Sequence, residues 1–519
     1  MTISIHLGRW CAKPLLALLG AAAMVQAQDG SKPTPMELPQ RQSSVAPAEL
    51  PPSPPSILDP NLAPIDLASA LRLAGVQNPE IMIARERVVE AVARHQYAAA
   101  QILPSINAGT NYNLHRGNLQ QSSGAILNVA RDAMYVGLGA SAVGAGTVNI
   151  PGVVWNLNAS DAIVATLGSK QVIRQRQFAS RAIENQTLLR VAVGYLELLR
   201  AEGQRSIAIQ NRDETHEVAR ITANYSRTGQ GRQADAERAV TELEQRNNEV
   251  VEAENQVLAA SARLCELLGL DASVRLHATD GWVVPSPIVP EPIPLAELIA
   301  IALTQRPELG ERQAAIREAM VVLRGAKLLP FSPNLIVGYS AGSFGGGSDI
   351  VAGGGGSRFG NFDGRQDLDV VVYWELRNLG VGNLAIIHGA QSNLRTTQWQ
   401  QVEVLDRVRA EVAKAHARTH ARFAQLETSE RAIETSKKAF QEDLVRTRNR
   451  EGLPIEVLDS LRLLRTSRQQ YLNAIIDYNV AHFELYVAMG QPPASFLARP
   501  VPAGLVPPPG DAAPAPVAK

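Results

Sequence analysis

The chain has 519 residues with 50 basic and 50 acidic side chains, and only 5% of its residues are aromatic. The balanced charge excludes the basic excess of a nucleic-acid binder and leaves no net field to steer charged substrates. Length alone suggests about three globular domains, but the abundance of Ala, Gln, Arg and Glu points instead to long helices.

In chain order, Arg9 and Lys13 come first, ahead of an apolar run from Leu15 to Val25 and a small-residue cleavage site at Val25-Gln26-Ala27. This is the pattern of a secretory signal over residues 1–27, too short to span a bilayer, and it predicts a mature chain starting near Gln28. Cys11 follows Arg9-Trp10 rather than a lipoprotein cleavage box, so no lipid anchor is expected. Cys265 then has no partner for an internal disulfide and is expected to be buried as a small apolar residue. Residues 28–63, rich in Pro, Gln and Ser, and 498–519, rich in Pro and Ala, cannot bury enough apolar surface to fold alone. Both are expected to be disordered arms.

The body of the chain is duplicated. IDLASALRLAGVQNPEIMIARERVVEAVARHQYAAAQIL (65–103) aligns with IPLAELIAIALTQRPELGERQAAIREAMVVLRGAKLL (293–329), matching Ile65 to Ile293, Leu67 to Leu295, Pro79 to Pro307 and Glu80 to Glu308. In each copy a short helix stops before proline, and a second starts with that proline in its first turn. Each then meets Pro104 or Pro330 and turns to period-two sequence. The copies are expected over 64–284 and 285–497.

In the first copy Ile106, Ala108, Thr110, Tyr112 and Leu114 share one face of a strand at about 104–115, opposite Asn107, Gly109, Asn111, Asn113 and His115. A second strand falls within 134–157, with Pro151-Gly152 marking a bulge or break. In the second copy Leu335, Val337, Tyr339 and Ala341 share one face of a strand at about 333–344, and Leu368, Val370, Val372, Trp374 and Leu376 one face of another at 366–377. Four strands, apolar on one side and polar on the other, carry the dyad pattern of an outer-membrane barrel. Open edges are not tolerated in lipid, so several chains would have to share one barrel. Ile106, Tyr112, Leu335, Val337, Tyr339, Val370, Val372 and Trp374 would then face lipid, with Tyr112, Trp155, Tyr339 and Trp374 as interfacial anchors.

Each copy continues into a helical hairpin, at about 160–268 and 383–490. Leu243, Val250, Val257 and Leu264 recur every seven residues as a coiled-coil seam. Two adjacent seams, one through Tyr471, Ile475, Tyr478, His482 and Leu485 and one through Leu472, Ile476, Asn479, Phe483 and Tyr486, let one helix pack on both sides. A broad core-facing stripe in an ordinary bundle is the competing reading. No catalytic, cofactor or metal site stands out. His416 and His420 lack the glutamate of a zinc hydrolase motif and a third ligand. GGGGSRFG (353–360) and GLGASAVG (137–144) lack the endings of phosphate-binding loops and read as loops between strands at the outer surface.

Signal, duplicated helix–Pro–helix–Pro–strand, strand ending in Trp, long hairpin and Pro/Ala tail together resemble the TolC-type outer-membrane efflux family. The hairpin tips are similar to that family's Tyr-x-x-x-Gly…Asp-x-x-x-Ala pattern. NYSRTGQGRQADAERA gives Tyr225, Gly229, Asp235 and Ala239; NREGLPIEVLDS gives Gly452, Glu456 and Ser460, with a loop two residues shorter and no matching tyrosine. The two glycines suit the left-handed position after a helix, and Asp235 and Glu456 suit a first helical turn.

The resemblance implies a mainly α fold with a small membrane β part: a homotrimer whose twelve-stranded β-barrel continues into a long periplasmic α-helical barrel. It implies a passive exit duct in the bacterial outer membrane, for tripartite efflux or type I secretion, without enzymatic activity or cofactor. The implied partners are outer-membrane lipid, an inner-membrane pump, and a periplasmic adaptor meeting the tips at Tyr225, Gly229, Asp235, Gly452, Glu456 and Asp459. Family tunnels narrow at acidic rings near the periplasmic end, and Asp443, with Glu442 beside it, is the matching gate candidate. A soluble periplasmic coiled-coil scaffold without channel activity is the alternative.

Overall fold

The computed structural model describes residues 62–141, 149–229, 231–279, 283–289, 293–349, 360, 362–449 and 451–493. The leader, the arm up to residue 61, the Pro/Ala tail and nearly all of GGGGSRFG lie outside the described residues.

The first half runs β1 (Ala63–Ile65), α1 (Leu67–Gln77), α2 (Pro79–Ala100), β2 (Ser105–Ile106), β3 (Ala108–Gln120), β4 (Ile126–Ser141), β5 (Asn149–Pro151), β6 (Val153–Asn158), α3 (Ala159–Arg227), α4 (Gln233–Leu268) and β7 (Leu276–Ala278). The second runs α5 (Leu295–Gln305), α6 (Pro307–Leu328), β8 (Asn334–Ser348), β9 (Asp363–Tyr373), α7 (Val381–Arg448) and α8 (Pro454–Ala488). Corresponding helices nearly match in length: 11 and 11 residues for α1 and α5, 22 and 22 for α2 and α6, 69 and 68 for α3 and α7, 36 and 35 for α4 and α8. At 1.5 Å per residue α3 and α7 each reach about 100 Å.

The helix starts follow from local chemistry, and differ between copies. Asp66 caps α1 by accepting from Ser69 N at 3.0 Å. Asn78 caps α2, accepting from Glu80 N at 2.9 Å and Ile81 N at 3.4 Å, and its amide donates to Leu267 O at 2.7 Å. That one buried side chain serves a helix start and a tertiary tie. Arg306, its counterpart, makes no cap bond; its guanidinium instead reaches Glu411 and Ala488 O.

The main core draws on both halves. Leu71, Ile81, Tyr195, Leu198, Leu264, Leu298, Ile476 and Tyr486 are each at most 2% exposed, and burying each aliphatic side chain stabilises by about 2 kcal/mol. Both seams of α8 are used, since Leu472, Ile475, Ile476, Tyr478, Asn479, His482, Phe483, Leu485 and Tyr486 are all buried. Asn479 pins the linker between the halves, accepting from Ser286 N at 2.7 Å and donating to Val284 O at 2.9 Å. Cys265 is fully buried, with Sγ 3.4 Å from Val274 O, and burial pushes its thiol pKa up. On α4 the expected seam shifts toward the tip. Val250 and Leu264 are buried, but there Glu242 and Arg246 occupy the packed face and Leu243 is half-buried.

The sheet is an antiparallel meander in four tracks: β2 with β3, β4 with β6, β8, and β9. Among the described residues, the outer edges of β3 and β9 have no partner strand. Strand limits differ from the periodicity. β3 runs on to Gln120 and β4 begins at Ile126, because pairing from Leu114–Asp132 to Gln120–Ile126 continues where the alternation of apolar and polar residues has faded. The connecting turn is Gln121–Ala125, closed by Gln121 N to Ala125 O at 2.9 Å. Gly137–Ser141, expected in a loop, lies inside β4. β9 stops at Tyr373, so Trp374 and Leu376 stand beyond its end, both exposed.

Candidate functional site

Two regions gather the expected functional residues: the faces of the sheet and the tips of the hairpins. Register fixes the faces, because directly opposed residues in antiparallel strands point the same way. One face carries three apolar rungs: Leu157–Leu335–Val372, Trp155–Val337–Val370 and Val153–Tyr339–Leu368. Ile106 and Tyr112 continue it on the first track, 74% and 58% exposed. Val370 and Val372 are also more than half exposed, while Leu335, Val337 and Tyr339 are partly covered by the tracks either side.

The opposite face carries the apolar rung Ile336–Val371 near the start of β8 and is mostly polar beyond it. Asp369 opposes Gly338, Asp367 opposes Ser340, and Arg365 opposes Gly342. Arg365 pairs with Asp367 at 2.8 Å and lies 4.9 Å from the Phe344 ring centroid. Asn111 shares a rung with Tyr135 and Phe344. Among the described residues, no helix is long and apolar enough to cross a membrane.

At the tips, a small core joins all four long helices through Val218, Ala219, Ala239, Phe440, Val457, Leu458, Leu461 and Leu464. Tyr225 sits in the last turn of α3, half-buried, and its hydroxyl donates to Thr447 O of α7. Arg448 pairs with Glu217 at 3.3 Å, tying the same two helix ends again. Hydrogen bonds from Arg220 first, and also from Arg448, hold the Glu217 carboxyl below its ordinary pKa. Gly229 has φ of +74°, the left-handed turn expected there. Gly452 does not. Its backbone is not left-handed, and a Cβ would stand 3.1 Å from Thr447 Oγ1 and 3.3 Å from Arg446 Cβ. Close approach, not handedness, is what glycine serves at that turn. Asp235 and Glu456 lie in the first turns of α4 and α8, and Glu456 accepts from Leu453 N at 3.3 Å. Asp459 is exposed, 3.7 Å from Arg462. Asp443 is partly buried on α7, 4.0 Å from Arg446, with Glu442 exposed beside it.

Sequence reasoning missed an ionic ladder running up from the tips. Glu242 meets Arg462 at 2.8 Å and Arg246 at 3.2 Å; Glu249 meets Arg246 at 2.7 Å and Arg465 at 2.5 Å; Glu214 meets Arg468 at 2.6 Å. The Arg462 hydrogen bond holds Glu242 below the usual carboxylate pKa, whereas burial lowers that of Arg246. Pairing is what makes burial of these charges tolerable, and removing one partner would strand the others. The i, i+3 and i+4 spacings were visible in the sequence, but such spacing is equally that of a solvated helix face.

His416 and His420 stand with their Nε2 atoms 3.1 Å apart. Among the described residues, no group of three or more His, Cys, Asp or Glu could hold a metal ion.

No family model matches the sequence, and no curated protein matches it. Solved structures do. The chain is similar to a membrane protein from Pseudomonas aeruginosa at 17% identity and a TM-score of 0.67, covering 84% of this chain and 93% of that one. It is similar to the CmeC outer-membrane channel of Campylobacter jejuni at 14% identity and 0.64, covering 88% and 94%. It is also similar to the open state of the MtrE outer-membrane channel of Neisseria gonorrhoeae at 16% and 0.59, covering 82% and 89%. The shared feature is the fold: long helices joined to a multi-strand sheet.

Proposed function

We propose that this chain, with the fold of outer-membrane channels and an open sheet of two unlike faces, is the protomer of an outer-membrane exit duct. Three copies would supply four tracks each to a twelve-stranded barrel, with the apolar rungs toward lipid and the Asp/Asn/Arg face toward water. The helical hairpins would continue the duct into the periplasm, where the tips would meet an adaptor and an inner-membrane pump in tripartite efflux or type I secretion. Adaptor contact is assigned to Tyr225, Gly229, Asp235, Gly452, Glu456 and Asp459, and the periplasmic constriction to Asp443 with Glu442. The duct itself does no chemistry.

One observation carries this reading: a sheet with an exposed apolar face, a largely polar face and two edges unpaired among the described residues, which lipid tolerates only once the ring is closed. A soluble scaffold built on the same coiled-coil seams would have no use for Ile106, Tyr112, Val370 and Val372 in water. The test is fractionation followed by planar-bilayer recording. A detergent-requiring trimer that conducts ions is expected; a monomer recovered from the soluble periplasm would overturn the proposal.

A further inference from the structure

Next to the sheet, four helices stand in a row in the order α2, α3, α6, α7, each in contact with the next. The outer two end the row, as β3 and β9 edge the sheet. Chain order joins these ends: α2 leads into β2 and β3, and β9 leads into α7.

The duplication relates the two halves of the row residue by residue. On α2 and α6, Ile81 matches Leu309, Ala91 matches Ala319 and Ala98 matches Ala326, all buried. On α3 and α7, Val191 matches Val412, Leu198 matches Thr419 and Thr215 matches Ser436, each at most 2% exposed. The last residues of those two helices, Arg227 and Arg448, fall into the same alignment. The contact of α2 with α3 then recurs as that of α6 with α7. The contact of α3 with α6, where one half meets the other, would recur only if α7 met the α2 of another copy.

That contact between the halves is close. A Cβ on Gly310 would stand 2.7 Å from the Phe178 ring, and one on Gly325 would overlap the Val164 side chain. Between these two levels Gln175 donates to Glu318 at 2.5 Å. The matching positions are bare. Phe178 matches Trp399 and Gly310 matches Met82, 71% and 41% exposed. Gly325 matches Tyr97, also 71% exposed, and Val164 matches the exposed Ala385. Gln175 and Glu318 match Thr396 and Glu90, both exposed. Apolar side chains exposed singly are ordinary, but these lie where their own repeat partners are covered.

We infer that α7 of one chain packs on α2 of a second copy in the register of α3 on α6, with Trp399 against Met82 and Tyr97 over Ala385. The inference rests on the exit-duct reading, which supplies the ring of copies. Trp399 on Met82 makes a sulfur–aromatic contact, and the flexible methionine fills the space beside the ring. At the second level the knob changes sides: Val164 covers Gly325 within the chain, whereas Tyr97 covers Ala385 between chains. Large side chains in place of glycines set the helices further apart between chains than within one, because interaxial distance follows the residues at the contact.

Trp399→p-benzoylphenylalanine places on that face a ketone that, once illuminated, bonds to C–H groups within reach. In membranes holding the full chain, covalent dimers and trimers are expected, with a peptide joining position 399 of one copy to α2 around Met82 of another. The same probe at Phe178 is expected to link only to α6 of its own chain. A conducting trimer whose links from position 399 are absent, stay in-chain or reach another segment overturns the seam and leaves the duct intact. A full-length chain that neither assembles nor conducts overturns the duct itself. Should the probe prevent assembly, Trp399→Ala gives a second reading. Its trimers are expected to dissociate in detergent at least about ten-fold faster, since buried tryptophans carry much of an interface's energy and such losses appear in the off-rate. An unchanged rate overturns the seam.

Discussion

His482 on α8 is packed against the linker between the two halves. It is fully buried, its Nδ1 accepts from Val289 N at 3.4 Å, and its ring stacks edge-on against Tyr478 at 4.4 Å. Burial, and secondarily the nearby His420, lowers its pKa from 6.5 to about 4. Above pH 6.5 folded and unfolded chains both hold it neutral. Between 6.5 and 4 only the unfolded chain takes up the proton, so stability falls with pH across that window, by on the order of 3 kcal/mol in all. His482→Gln should shrink the difference in thermal midpoint between pH 7.5 and 4.5; an unaltered difference would count against this assignment. Asp443 belongs to the same scale. If three copies ring the tunnel, Asp443→Ala should raise single-channel conductance and weaken block by multivalent cations, and unchanged bilayer traces would refute its gate role.

Among the elements, the two hairpin tips are tied together in part by Tyr225. Tyr225→Phe removes the hydroxyl that reaches Thr447 O, a loss of about 1 kcal/mol. Faster amide exchange at the end of α7 is expected, with the main core unaffected; equal exchange in both proteins would show that the bond does not hold the tip. Much of the element order was readable in advance. Pro79 and Pro307 mark helix starts by chemistry that needs no tertiary partner, and the α8 seams announce two packed sides. The strands were readable only where one face is apolar. Beyond Leu114 both faces of β3 turn polar, so the signal fades while the backbone pairing goes on. The break after Leu138 was hidden for a related reason: GLGAS reads as a loop, and only the register against β8, passing from Leu138–Ala341 to Val153–Tyr339, shows a strand that is interrupted and resumed. Glu242 and Arg246 were missed because a buried ion pair and a solvated one look alike in sequence.

For the whole molecule, the decisive feature is the pair of sheet edges that have no partner strand among the described residues. If the barrel closes as a trimer, β9 of one protomer pairs antiparallel with β3 of the next. Cysteines placed in turn at Arg365, Asp367 and Asp369, each combined with Asn113→Cys, should give a covalent trimer on oxidation in at least one register. Cys265, buried in the core, will not compete. Oxidation yielding only monomers across the series would exclude this pairing. If the exit-duct reading holds, the same edges also bear on how the chain assembles. A lone protomer presents two strand templates and an apolar face to water, the surface on which sheets add copies without end. A ring of three leaves no template, while a misregistered pair still offers two. For a ring closed in that way, crowding before closure would favour open-ended stacks over rings, and the supply rate of new chains would then set how many rings close.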